Sequence, residues 1–273
     1  MEDQVSFEKS KNVFKAAYRC LIENDISTKC ELTKKLYLDI QNGVYGYDSD
    51  SVPERLEKPG VPDNVELVMP QKLTQRSVHS KEGHASLIHS ICHIEFNAIN
   101  LALDAVYRFR DMPDDYYQDW AKVAAEEAYH FTMLESHLKS LGHQYGDFKA
   151  HNGLWRMALE TAHDPLVRMA LVPRVLEARG LDVTPAIIKK LHYIKDNSAI
   201  EILDIIFNDE VGHVAIGTKW FYYLCDERNV DKYDTFIELM NTYVKGKVRG
   251  PYHTEARIKA GFSEAELDFL QGL

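Results

Sequence analysis

Two short motifs carry the chemistry this chain could do. Glu127-Ala-Tyr-His130 and Glu210-Val-Gly-His213 each set a glutamate three residues before a histidine. On an α-helix, residues i and i+3 share one face, so each motif aims a carboxylate and an imidazole the same way. The neighbours on that face decide whether it is wet or dry. Trp120, Val123, Ala124, Phe131 and Leu134 accompany Glu127, and Leu203, Ile206, Phe207, Val214 and Gly217 accompany Glu210. Both carboxylates are therefore expected inside. An unpaired buried carboxylate is costly and needs a proton, a counter-charge or a metal.

Two further glutamates break the same rule. Glu95 lies in the stripe Ile88, Ile91, Cys92, Ala98, Ile99 and Ala102, and Glu177 follows Ala170 and Pro173 and precedes Leu181. Each lone glutamate stands 32 or 33 residues ahead of the next Glu-xx-His motif. One glutamate from each of two helices, with one Glu-xx-His from each of two others, is the ligand set of di-iron and di-manganese carboxylate bundles. Four carboxylates balance two divalent ions, so such a site is neutral when reduced. Carboxylate-rich donors with imidazole suit iron or manganese (two Fe, Fe/Mn or Mn/Mn) better than a thiolate-rich zinc site would. A single Glu-xx-His arises readily by chance on charged helices. Six positions in order, each on an apolar face, do not. Glu126 and Asp209 directly precede two of the ligand glutamates. A histidine ligand usually donates its second N–H to a carboxylate or carbonyl. That pairs Asp209 with His130 and Glu126 with His213; the alternative for both acids is solvated helix charge.

These residues need long helices to hold them. Amphipathic segments are predicted at 7–23 and 28–41. A helix follows from about Glu82 to Arg108, and another from Pro113 to Leu141, stopping at Gly142. Asp164-Pro165 opens a helix that should end near Gly180, and Thr184-Pro185 repeats the start signal. Ser198 with Glu201 reads as a capping box for a helix reaching about Cys225. Three shorter helices are expected at 231–245, 252–260 and 263–272, the last opened by Ser263 and Glu266. Residues 42–80 hold Gly43, Gly46, Pro53, Pro59, Gly60, Pro62 and Pro70, and should wrap over the helices or cover a site. Strand signals are weak throughout. The reading is a single all-α domain over 1–273, with a bundle core at about 82–225.

The 273 residues are long enough for a sizeable core. The net charge of −10 argues against generic nucleic-acid or anionic-membrane binding. No run of 18 apolar residues suggests a membrane span, and acidic Met1–Ser10 does not read as a signal peptide. Four scattered cysteines, Cys20, Cys30, Cys92 and Cys225, lack CxxC spacing and fit a reduced, cytoplasmic protein.

Several stretches resemble a bacterial ferritin-like family described only as a domain of unknown function. They are His93-Ile-Glu95-Phe-Asn-Ala-Ile, Glu126-Glu127-Ala-Tyr-His130, Leu141-Gly-His-Gln-Tyr-Gly-Asp147-Phe, Leu176-Glu177-Ala-Arg-Gly-Leu-Asp-Val-Thr-Pro185 and Asp209-Glu210-Val-Gly-His213-Val-Ala. The similarity covers about residues 15–225. The resemblance implies a ferritin-like four-helix bundle with a dinuclear metal centre on the six ligands named above. It also places the chain near ferritin-like di-iron oxygenases, including the tRNA-modifying hydroxylase. Asn97 and Asn100 depart from the family pattern, where Gln and Glu are expected.

The functional expectation is an O₂-activating oxygenase, hydroxylase or oxidase acting on a small organic substrate, supplied with electrons by a donor protein. The alternative is a ferroxidase or iron-handling protein without an organic substrate. The extra length beyond a bare bundle favours the first. A homodimer would be ordinary for such a bundle. His89 and His93 share i, i+4 spacing, and hydrogen bonding within the bundle is expected of them ahead of metal binding. Pro173 removes a helical hydrogen bond four residues before Glu177; it either opens the site or breaks the helix without consequence. Lys245, Lys247, Arg249, His253, Arg257 and Lys259 form the only basic stretch that could meet a phosphate-bearing partner, although a solvated basic face is the simpler reading. Tyr129 is expected to pack.

Overall fold

The computed structural model describes residues 11–47, 51–74, 76–244 and 250–272. Among the described residues the regular structure is helical apart from two parallel two-residue strands, β1 (Lys11–Asn12) and β2 (Tyr45–Gly46), and a single bridge between Leu67 and Ala150. The helices are α1 (Val13–Ile22), α2 (Ile26–Gln41), α3 (Lys81–Arg108), α4 (Asp114–Ser140), α5 (Gly153–Glu160), α6 (Pro165–Leu171), α7 (Ala178–Ile194), α8 (Asn197–Glu227), α9 (Lys232–Leu239), α10 (Thr254–Lys259) and α11 (Glu264–Gln271). A π-helical segment, Val172–Glu177, joins α6 to α7, and another, Met240–Val244, continues α9.

Packing follows the apolar faces. α3 lies along α4, α4 meets α8, and α8 meets α6, the first π segment and α7. The outer pair α1 and α2 covers α3 and α4. As a result α3 is buried at every position from Glu95 to Arg108. Charged and polar groups inside are matched by partners at Asp104 and Lys29. Asp104 takes Arg108 and Arg168 at 2.7 Å each, tying α3 to α6. Lys29 directs its ammonium at the carbonyls of Cys20 and Leu21 and at Asn100 Oδ1, 2.8–3.0 Å away. Asn100 thus helps to hold the buried Lys29 side chain.

The segment between β2 and α3 wraps over the helices, as its composition suggested. Trp155 Nε1 donates to the Leu56 and Glu57 carbonyls, the Glu54 N–H donates to Tyr107, and Ala150 exchanges backbone hydrogen bonds with Glu66 and Val68. Among the described residues, all four cysteines are unpaired, and no helix is long and apolar enough to cross a membrane.

Several boundaries differ from the sequence reading. Thr184-Pro185 does not start a helix, because α7 runs from Ala178 through Pro185 to Ile194. Ala178, Leu181 and Leu191 are fully buried along that span, and their burial outweighs the bond lost at proline. α8 is capped by Asp196, whose side chain accepts from the Ala199 N–H, and not by Ser198. At α11 the Ser263–Glu266 capping box is present in both directions. Lys245, Lys247 and Arg249 lie outside the described residues. Arg257 is buried and paired with Asp182 at 2.8 Å, so the basic stretch is not one solvated face. Tyr129 is exposed and does not pack in the interior.

Candidate metal centre

Four helical segments bring the six predicted residues toward one place. α3 supplies Glu95, α4 supplies Glu127 and His130, and α8 supplies Glu210 and His213. One side-chain donor from each of Glu95, Glu127, His130 and Glu210 lies within 4.8 Å of the others. Two donors sharing one first-row ion, each about 2.1 Å from it, stand at most about 4 Å apart. The 4.8 Å envelope is slightly wider than one shared ion allows and leaves room for more than one. Glu127 is central. Its Oε2 lies 3.3 Å from His130 Nδ1 and its Oε1 3.0 Å from His213 Nδ1. His130 Nδ1 is also 3.3 Å from Glu95 Oε2, and His213 Nδ1 is 3.7 Å from Glu210 Oε1.

The outer nitrogens are held by carboxylates. His130 Nε2 lies 3.0 Å from Asp209 Oδ2, and His213 Nε2 lies 3.0 Å from Glu126 Oε2. An ionised carboxylate only accepts, so each ring carries its proton on Nε2 and turns Nδ1 inward. The crossing is reciprocal: an acid on α8 orients the imidazole of α4, and an acid on α4 orients that of α8. Both acids are part-exposed and each follows directly from its ligand neighbour's helical position.

Glu177 arrives differently, at the end of the π segment. A π turn inserts an extra residue into the ladder and is frequent at functional sites. Two features fix it. Pro173 cannot donate to the helical ladder. Gly217 on α8 lets Pro173 approach so closely that a Cβ at Gly217 would stand 2.4 Å from the proline ring. The distortion at Pro173 thus lies within the segment that ends on Glu177.

The electrostatics are those of crowded acids. Burial and the charge on Glu127 push the Glu95 carboxyl well above the usual range. Burial, then Glu210 and Glu127, push Glu177 up to about 8. Burial and Glu127 also raise Glu210. Burial opposes ionisation of Glu127 too, but His213 and His130 outweigh it and hold that carboxylate below its ordinary value. Burial disfavours the His130 cation, yet Glu127 and Glu95 lift it to about 11. Oε2 of Glu177 and Oε2 of Glu210 have no hydrogen-bond partner, and Oε2 of Glu95 and Nδ1 of His213 have only the poorly aligned contacts at 3.3 and 3.0 Å given above. Native interiors rarely leave polar atoms unpaired. Inward carboxylate oxygens, and imidazole nitrogens that give up a proton on binding, are what a metal ion takes, so the donor set fits a metal.

Other candidates fall outside this cluster. His89 accepts from the Gly146 N–H at 3.0 Å, and His93 bonds Tyr145 and the His151 carbonyl at 2.7 and 3.0 Å. A cavity of about 740 Å³ also lies elsewhere, lined by Asn64, Arg76, Ser90, His143 and Lys149 among others. A smaller cavity of about 320 Å³ includes Phe207 and Val211, which flank Glu210 along α8, with His253 and Ala256 opposite. Two features had no signal in spacing: the grouping of His84, His137 and Asp196, and the pair Arg174–Glu266, at 2.7 Å. Each joins residues more than 50 positions apart.

The fold and site define an all-helical protein with a buried glutamate–histidine cluster able to hold a metal ion. The chain belongs to the family described as protein of unknown function (DUF455), whose model matches residues 22–268. It is 45% identical over 252 residues to an uncharacterized protein of Haemophilus influenzae, covering 89% of this chain and 88% of that one. No solved structure matches.

Proposed function

We propose that the protein is a ferritin-like dinuclear carboxylate enzyme, an oxidoreductase that uses O₂ on a small organic substrate. The observation that carries this reading is the set of buried donor atoms on Glu95, Glu177, Glu210 and His213 that lack a well-formed hydrogen bond, the last of them 3.0 Å from Glu127. A pair of iron ions (or iron with manganese) bound there would supply O₂ activation. The chain's own residues do the rest. Glu127 reaches toward both histidines and would help to hold both ions. Glu95 and Glu210 complete the two sides, and Glu177 closes the set from the π segment. Asp209 and Glu126 hold the two imidazoles in the tautomer that presents Nδ1 inward. The apolar residues around the cluster exclude water, and the cavity beside Phe207 and Val211 is the place for an organic substrate. An electron-donor protein would complete repeated turnover.

An oxygen electrode tests the reading. Protein loaded anaerobically with two equivalents of ferrous ion per chain should consume O₂ on mixing, and the Glu127→Ala variant should not. With added reductant and no organic substrate, slow uncoupled consumption is expected. Rapid, substrate-free turnover of ferrous ion at many equivalents per chain would instead favour the iron-handling alternative.

A further inference from the structure

His84, His137 and Asp196 meet at the far end of the same helices. His84 lies in the first turns of α3, His137 in the last turn of α4, and Asp196 caps α8. His84 Nε2 is 2.6 Å and His137 Nε2 is 2.7 Å from one atom, Asp196 Oδ2. The other oxygen, Oδ1, is already occupied by the Ala199 N–H at 3.0 Å. Two imidazoles from two helices therefore compete for one carboxylate oxygen from a third. Their rings are 6.3 Å apart and tilted by 57°. Three donors of different chain origin converge on one point, with the side chains 8–17% exposed.

We propose that these three residues form a separate site for one divalent transition-metal ion of the zinc class. Two imidazole nitrogens and one carboxylate oxygen are a familiar three-ligand zinc set, with a fourth position left to water. Because Oδ1 is taken by the α8 cap, Asp196 binds through Oδ2 alone. At metal–ligand distances of about 2.0–2.1 Å the donors would stand a little over 3 Å apart. The two nitrogen–oxygen separations, now 2.6 and 2.7 Å, would widen by less than about 1 Å. The site is distinct from the buried cluster. His84 precedes Glu95 by eleven residues and His137 follows His130 by seven, about 16 Å and 10 Å along the helices. The ion would clamp α3, α4 and α8, the helices that carry five of the six residues of the other site. His84, the more exposed ring, leaves an entry path.

The test is equilibrium dialysis of the wild type, His84→Asn and His137→Gln against zinc, with bound metal counted by elemental analysis. The account predicts one zinc fewer per chain in each variant than in the wild type. Whatever the central cluster takes up cancels in that difference, so failure of the dinuclear reading leaves the result readable. Equal zinc in all three proteins would overturn the proposal and leave a hydrogen-bonded trio. A second measurement uses the wild type alone, in case a variant folds poorly. Carbethoxylation mapped by mass spectrometry should fall at His84 and His137 when zinc replaces chelator in the buffer. Unchanged modification of both rings would also overturn it.

Discussion

The two lone glutamates stand at matching sequence positions, yet their helices treat them differently. α3 carries Glu95 through 28 residues of unbroken α-helix. The segment carrying Glu177 changes from α to π at Val172 and back to α at Ala178. Close to Glu95 the first half is held by uncharged contacts, His93 to Tyr145 and His89 to the Gly146 amide, with its buried ion pairs further along at Asp104. The second is held by a charge. Arg174 sits within the π segment, fully buried, between the faces of Phe221, Phe236 and Phe262 at 4.4–4.8 Å, and pairs with Glu266 of α11. Equal spacing in sequence therefore does not mean equal mechanics. One ligand rides on a rigid helix, and the other on a distorted turn that the C-terminal helices lock.

That contrast is broken most severely at Arg174. Arg174→Met leaves Glu266 buried without its partner. Removing one member of a buried pair costs about 3–5 kcal/mol, to be read as a lowered urea midpoint. A loss below about 1 kcal/mol would mean that the aromatic cage, and not the charge, fixes the π segment.

The first half should respond instead to acid, at His89. Burial, with the nearby His93, pulls the His89 imidazole down to about 4 from its ordinary 6.5, in keeping with an Nε2 lone pair that accepts from Gly146. The unfolded chain takes up this proton first as pH falls. The stabilising contribution is therefore full above about 6.5 and is lost as pH drops toward 4. It is on the order of 3 kcal/mol. His89→Gln keeps an acceptor but cannot titrate, so its stability should change less between those pH values. Identical pH profiles would contradict the assignment.

Next in size is Gly217→Ala, which drives a methyl into the Pro173 ring. Overpacking of this kind costs about 1–3 kcal/mol. Metal affinity should fall alongside stability, because the displaced segment ends on Glu177. The smallest effects test the outer carboxylates. Asp209→Asn and Glu126→Gln should each weaken ferrous binding by about 10- to 100-fold with the fold intact. A titration followed by equilibrium dialysis would show it, and unchanged affinity would return both acids to ordinary helix charge.

Much of this architecture is legible in the residues. The stripes around Glu95, Glu127 and Glu210 put α3, α4 and α8 in place, because an apolar face repeating every three to four residues has only one way to be buried. The acids before Glu127 and Glu210 could be paired with the opposite imidazoles because neighbouring positions on antiparallel helices cross-face. The π segment was not legible beyond the proline that breaks the ladder, since its extra residue depends on Gly217, 44 positions away. Pro185 misled for a related reason: local propensity there marks a boundary, and tertiary burial of Leu181 and Leu191 overrides it. The Asp196 grouping was hidden because a cap and two distant histidines share no pattern in one dimension.

A dinuclear centre makes Oε2 of Glu95, Glu177 and Glu210 and Nδ1 of His213 metal donors. Elemental analysis of freshly purified protein tests it most directly, with the Glu127→Ala/Glu210→Ala double variant as control. The account predicts about two iron or manganese ions per chain, lost in the variant, over and above any zinc. Retention of no iron or manganese even after anaerobic loading with ferrous ion would contradict it.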